Sequence, residues 1–318
     1  MLKLKVIKIN FLPAVMLLIA FNAVISCKKR KTPETLSPIQ QSEIIINNGI
    51  LTIKQDLTRG GAISYISLSG SIRNLVNIHD EGRYIQQSYY AGKNLDRKAE
   101  GQSHSWSPWA WNPIQVGDSY KNRAKIIEYK QVGNTSYVKC TPMLWDMKNE
   151  LAEAEMEQWN TLEDNVLKAH CKLTCRRTDN KYGENIVRNQ ELPAVYPISA
   201  FGKLFSYIGN KPFTSDTISN LEVIRLSSGF WGRYPRITEK WMAFVDDKSW
   251  GMGVYTPIAT SFLAGMAGKQ GGEFNDASTS YIAPIKNESF GKNSVFEFDY
   301  YIIIGTIDQI RAKVYLLK

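Results

Sequence analysis

The strongest constraint on this chain is a two-residue alternation of apolar and polar side chains, repeated in short segments along its length. Val166-Leu-Lys-Ala-His-Cys-Lys-Leu-Thr-Cys175 is the clearest case. Leu167, Ala169, Cys171, Leu173 and Cys175 fall on one side, and Lys168, His170, Lys172 and Thr174 on the other. Only an extended strand with one covered face places side chains this way. The same rhythm recurs in Gly49–Lys54, Ala62–Leu68, Lys125–Lys130, Thr135–Cys140, Trp241–Val245, Gly251–Tyr255 and Val295–Ile304. Turn sequences such as Gly133-Asn134 and Asp246-Asp247-Lys248-Ser249 separate the segments. Many short strands with regular turns predict an all-β, antiparallel sandwich. Glu150-Leu-Ala-Glu-Ala-Glu-Met-Glu157 has helical propensity. Its carboxylates nevertheless alternate with apolar residues, and Leu162-Glu-Asp-Asn165 reads as a turn, so a hairpin is expected there. One short helix is expected over Ile307–Val314, with Thr306 as its N-cap. No linker divides residues 44–318, which are read as a single domain.

Residues 1–26 do not fit that rhythm. Lys3, Lys5 and Lys8 precede an apolar run from Phe11 to Ile25, and Val24-Ile-Ser-Cys27 resembles a bacterial lipobox. This pattern predicts a signal peptide cleaved before Cys27, which is then lipidated. An uncleaved anchor is the alternative, although the apolar run is short for a membrane span. Residues 27–43 read as a flexible polar tether. The expected location is the bacterial cell envelope, with the chain held to a membrane by its lipid. Seven of the positive charges behind the net +9 lie in the leader and in Lys28-Lys-Arg-Lys31. The remaining domain is close to neutral, so a nucleic-acid partner is not expected. The basic run suits anionic lipid headgroups, or simply keeps the tether soluble.

Cys171 and Cys175 share a strand face roughly 13 Å apart, too far to bridge, and are read with Cys140 as core residues. No second Cys/His pair has zinc spacing. No phosphate loop, serine-nucleophile elbow or zinc-protease helix occurs. No cofactor is evident; a structural calcium is left open.

Asp80–Asp118 concentrates Arg83, Gln87, Tyr89, Tyr90, Trp109, Trp111, Asn112, Gln115 and Asp118 in turn-rich sequence. Aromatic faces stack on the C–H faces of a sugar, while amides and carboxylates take its hydroxyls. An oligo- or polysaccharide is the expected ligand.

Gly60-Gly-Ala-Ile-Ser-Tyr-Ile66, followed by Asn74-Leu-Val-Asn77 and Asp80–Arg83, resembles the start of galactose-mutarotase-like domains. The resemblance implies a large antiparallel β-supersandwich. That fold is shared by aldose epimerases and by domains of glycoside hydrolases and polysaccharide lyases. The epimerases pair a histidine acid with a glutamate base late in the chain. Here the histidines are His79, His104 and His170, a departure from that pattern.

Glu191, set before a Leu-Pro turn with Tyr196 nearby, is the first candidate for a general acid or base. The alternative is a turn carboxylate bonded to backbone N–H groups. Glu157 is the second, as partner to Glu191 in two-carboxylate glycoside hydrolysis, unless it only decorates a solvated strand face. Asp80 and Asp118 are further acids, each also suited to capping a turn. Arg83 suits a substrate carboxylate or an ion pair with Asp80 or Glu81. His104 is a proton-transfer candidate in a polar loop. Trp109 and Trp111 share a face if extended and would form a platform. Tyr89 and Tyr90 point opposite ways, one to ligand and one to core. The expected function is hydrolysis of a glycosidic bond by paired carboxylates. Non-catalytic glycan binding is one alternative, and a lyase or epimerase using His104 and Tyr90 is another.

Overall fold

A computed structural model describes residues 41–226 and 231–318. The expected leader, Cys27 and most of the tether lie outside the described residues. Strands dominate, and among the described residues the named strands pair antiparallel, with one isolated parallel bridge between Arg225 and Met266. A seven-stranded sheet runs in the order Met143–Leu144, Pro113–Ile114, Gln86–Ser88, Arg188–Ala194, Thr279–Glu288, Ser261–Ala267, Gly232–Tyr234. A nine-stranded sheet runs Ser219–Leu221, Lys203–Ser206, Trp241–Val245, Trp250–Tyr255, Val295–Thr306, Val166–Cys175, Ala154–Glu163, Thr135–Thr141, Lys125–Val132. A three-stranded sheet of Glu43–Asn47, Leu51–Asp56 and Ala62–Leu68 completes the core.

The alternation read from sequence decides which side of each strand is covered. Met156, Leu173, Val254 and Ile302 of the larger sheet meet Leu192, Val195, Phe262 and Ile282 of the smaller one in one continuous core. Ile44, Ile46, Leu51 and Ile53 join it from the three-stranded sheet. The segment of mixed propensity forms a hairpin. Ala154–Glu163 pairs residue for residue with Val166–Cys175, and Asp164, at φ 49°, turns the chain between them. Ala154, Met156 and Leu162 are buried, so covering one face of the sheet outweighs helix propensity. Cys140, Cys171 and Cys175 are buried free thiols.

The C-terminal helix spans Ile307–Leu317. Thr306 caps it: its hydroxyl accepts from the Gln309 N–H, and the Gln309 side chain accepts from the Thr306 N–H. Ile310 and Val314 pack on the outer face of the larger sheet against Trp241, Val245 and Ile303. A polar cluster anchors this contact. Glu239, fully buried, accepts from Arg311 Nε and Nη2 at 2.9 and 2.7 Å. It also accepts from the Trp241 indole, the Tyr315 hydroxyl and the Phe213 N–H, each at 2.8 Å. Among the described residues no helix is long and apolar enough to cross a membrane.

Candidate functional site

A cleft of about 370 Å³ opens on the outer face of the seven-stranded sheet, the side turned away from the core. Its floor is built from Gln86, Ser88, Glu191, Ala194 and Thr279, which lie on the three central strands Gln86–Ser88, Arg188–Ala194 and Thr279–Glu288. Alternation sets Glu191 outward because Leu192 and Val195 go to the core. The register with Gln86–Ser88 shifts between Glu191 and Ala194, which opens the floor at that point.

Two aromatic walls flank the floor. In one, Trp106 meets Trp109 edge-on at 5.1 Å and Trp145 at 5.9 Å, and Tyr90 meets Trp109 at 6.2 Å. Asn112 fixes this wall: its carbonyl accepts from the Trp109 indole at 3.1 Å, and its amide donates to the Tyr89 carbonyl at 2.8 Å. Gln190, turned inward and fully buried, holds Tyr90 in place. Its side chain accepts from the Tyr90 N–H and donates to the Tyr90 carbonyl, both at 2.8 Å. In the other wall Trp231 stacks on Tyr281 at 4.4 Å, and Tyr196 meets the same ring at 4.8 Å.

Glu191 lies between the walls. Burial pushes its carboxyl above the ordinary range, and the Tyr281 hydroxyl, donating to it at 2.8 Å, offsets this in part. Burial, joined by the Glu191 charge, raises the Tyr90, Tyr196 and Tyr281 phenols, so all three remain protonated donors. At the rim, Arg83 Nε is 2.9 Å from Asp80 Oδ2. Its Nη1 donates to Asn77 Oδ1 at 3.1 Å and to the Ala277 carbonyl at 3.0 Å. Arg83 Nη2 has no hydrogen-bond partner among the described residues. Glu81 pairs with Arg59 instead, at 2.7 Å.

The structure thus brings Arg83, Tyr90, Trp109, Asn112 and Glu191 together, with Asp80 and Trp106. The other candidates lie elsewhere. Glu157 is on the larger sheet, facing outward and accepting from the Tyr137 hydroxyl at 2.8 Å. Glu157 and Glu191 therefore point away from opposite sides of the sandwich, and the expected couple does not form. Tyr89 is buried against Phe290 and Phe296, its hydroxyl donating to Gln87. Gln87 itself reaches the Glu157 carbonyl across the core. Gln115 accepts from the Gln87 N–H and donates to the Gly60 carbonyl. Asp118 closes a turn by accepting from the N–H groups of Tyr120, Asn122 and Asn149. His104 is exposed in a 3-10 turn beside the cleft-forming segment and does not line the cleft. Trp111 is buried under Arg177, whose guanidinium lies 4.9 Å from the ring. The platform of Trp109 and Trp111 fails because the register slips between their partners Leu95 and Ala91.

Trp145, Trp231 and Thr279, which line the cleft, and Tyr281, which backs it, are residues that sequence reasoning missed. Each reaches the site from a distant segment, and nothing in its local sequence marks it. Among the described residues no three His, Cys, Asp or Glu side chains are grouped to hold a metal.

No family model matches the chain, and no curated protein matches it in sequence. Solved structures match it in shape. An Escherichia coli K12 protein provisionally assigned as an aldose 1-epimerase superimposes with a TM-score of 0.50 at 9% identity, over 83% of this chain and 99% of that one. A galactose mutarotase-like protein of Lactobacillus casei ATCC 334 gives a TM-score of 0.49 at 8% identity, over 82% of this chain and 99% of that one. The chain has the galactose-mutarotase-like fold, as the resemblance of its opening strands implies. At such identity the likeness speaks to fold alone.

Proposed function

We propose that this protein binds a saccharide in the cleft and hydrolyses a glycosidic bond there, with Glu191 giving its proton to the departing glycosidic oxygen, Asp80 as the second carboxylate, and water supplying the hydroxyl that ends on the anomeric carbon. The observation that carries this reading is the environment of Glu191: an acid held above its ordinary pKa between two aromatic walls. A general acid must keep its proton near neutral pH, which burial favours. Stacking on Trp109 and Trp231 would hold the ring over Glu191, with the Tyr90 and Tyr196 hydroxyls as donors to sugar oxygens. Carbohydrate chemistry also agrees with the assignment of the E. coli neighbour. A second reading, saccharide binding without cleavage, is favoured by the grip of Arg83 on Asp80, which leaves Glu191, among the described residues, as the one cleft acid without a cationic partner.

The test is a glycan panel scored for binding and for new reducing ends. Cleavage predicts that Glu191→Gln loses at least about 100-fold in kcat/KM while retaining binding, and that Asp80→Asn is also impaired. Binding without new reducing ends in the wild type removes the hydrolytic step and leaves the second reading. From the leader pattern we likewise propose a domain held at the cell envelope by a lipid on Cys27. Incorporation of a labelled fatty acid, lost in Cys27→Ser together with membrane fractionation, tests that part.

A further inference from the structure

The outer face of the nine-stranded sheet has two unlike halves. The C-terminal helix covers the strands Trp241–Val245 and Trp250–Tyr255 and the end of Val295–Thr306. On the other half, most outward side chains stay exposed or half-exposed, and the strand register arranges them in rows. One row crosses five strands: Lys130 is opposite Tyr137, Tyr137 opposite Trp159, Trp159 opposite His170, and His170 opposite Asp299. The Tyr137 and Trp159 rings are 5.0 Å apart, and those of Trp159 and His170 are 5.2 Å apart. Trp159 is 36% exposed, and its indole N–H has no hydrogen-bond partner among the described residues.

The next row alternates in charge across the same strands, as Glu128, Lys139, Glu157, Lys172 and Glu297. Lys130 pairs with Glu128, Lys172 with Glu297, and Lys139 with Glu155. His170 Nδ1 lies 2.8 Å from Asp299 Oδ1, and the Tyr137 hydroxyl donates to Glu157. Such a surface has no surplus of positive charge for phosphates or anionic headgroups. It presents the partly exposed Trp159 ring beside closely spaced donors and acceptors, a combination suited to the C–H faces and hydroxyls of an uncharged sugar chain.

We propose that this uncovered half-face is a second saccharide-binding surface, taking a neutral glycan chain across the strands with Trp159 as its central stacking ring. It gives a setting to Glu157, Trp159 and His170, which the cleft does not use. It lies on the side of the sandwich opposite the cleft and shares with it only the class of ligand, so the two can be tested apart. Cross-strand ring pairs also stabilise a sheet by themselves, so binding and stability must be read on the same variants.

The experiment is affinity electrophoresis of the full chain in native gels containing xylan, laminarin, galactomannan or hydroxyethyl cellulose. Thermal scans accompany it on Trp159→Ala, Trp159→Phe, His170→Ala and the cleft variant Trp109→Ala. The surface predicts binding to at least one polymer weakened on the order of tenfold in Trp159→Ala, largely restored in Trp159→Phe, at little changed melting temperature. His170→Ala gives a partial loss and serves if Trp159→Ala does not fold. Retardation of Trp159→Ala equal to wild type, or of wild type by none of the four polymers, overturns the proposal. So does a wild-type dimer that dissociates in Trp159→Ala, which would make the face a protein interface. Loss in Trp109→Ala alone refutes the surface and leaves the cleft standing; loss in Trp159→Ala alone supports the surface and leaves the cleft to the glycan panel.

Discussion

Arg311→Met removes the guanidinium that holds Glu239 while keeping most of the side-chain volume between helix and sheet. Glu239 is fully buried and Arg311 nearly so. Burial pushes the Glu239 carboxyl up, but Arg311, Trp241, the Phe213 N–H and Tyr315 more than offset this and hold it below the ordinary range. In the variant the carboxylate keeps three donors and loses its only salt-bridge partner among the described residues. Stranding one member of a buried pair costs about 3–5 kcal/mol. At about 2–4 °C per kcal/mol for a domain of this general size, Tm should fall by about 6–20 °C at neutral pH. The sign with pH follows from the loss of the offset. Without Arg311 the Glu239 carboxyl moves up, so protonation relieves the burial cost and the deficit relative to wild type shrinks in acid. Scanning calorimetry at pH 7.5 and pH 5 measures both effects. The double variant Arg311→Met with Glu239→Gln should recover part of the loss, because the amide leaves no charge uncompensated and its carbonyl can still accept from the Phe213 N–H and the Tyr315 hydroxyl. A single-variant shift under about 3 °C, or a double variant whose losses simply add, would refute the account.

Three further outcomes concern the cleft. Because the folded pKa of Glu191 is raised, wild-type stability falls as pH rises from near 4.5 through the folded value. Glu191→Gln should therefore melt above wild type at pH 8 and alongside it at pH 4, in parallel thermal scans. Tyr281→Phe deletes the hydroxyl that donates to Glu191, so the carboxyl should titrate at higher pH still, read by carbon NMR of labelled glutamate. Asn112→Ala frees the Trp109 indole and leaves the buried Tyr89 carbonyl without its amide donor. A loss of about 1–3 kcal/mol in stability is expected, with weaker binding of any saccharide that stacks on Trp109, checked by calorimetric titration.

Much of the architecture was readable because alternation is local. A strand with Leu, Ala and Cys on one side and Lys, His and Thr on the other states its own conformation and its covered face. The hairpin of Ala154–Glu163 with Val166–Cys175, the helix capped at Thr306 and the unbridged Cys171 and Cys175 follow from such short-range rules. Crowding of rings and amides in Asp80–Asp118 likewise pointed to the part of the chain that builds one wall of the cleft.

Alternation says that Glu157 and Glu191 each leave a strand on its polar side, but not that the two polar sides belong to opposite surfaces of the sandwich. It also does not say that a register slip separates Trp109 from Trp111, or that Gln87, Tyr89 and Gln115 face the core. The second wall comes from Tyr196, Trp231 and Tyr281, residues far from Trp109 in sequence that meet it through strand order. By itself the sequence determined conformation and amphipathicity strand by strand, because side-chain direction along a strand is fixed every two residues. Which polar faces converge on a cleft was decided only by the order and register in which distant strands pair, and those depend on contacts that no short window of sequence contains.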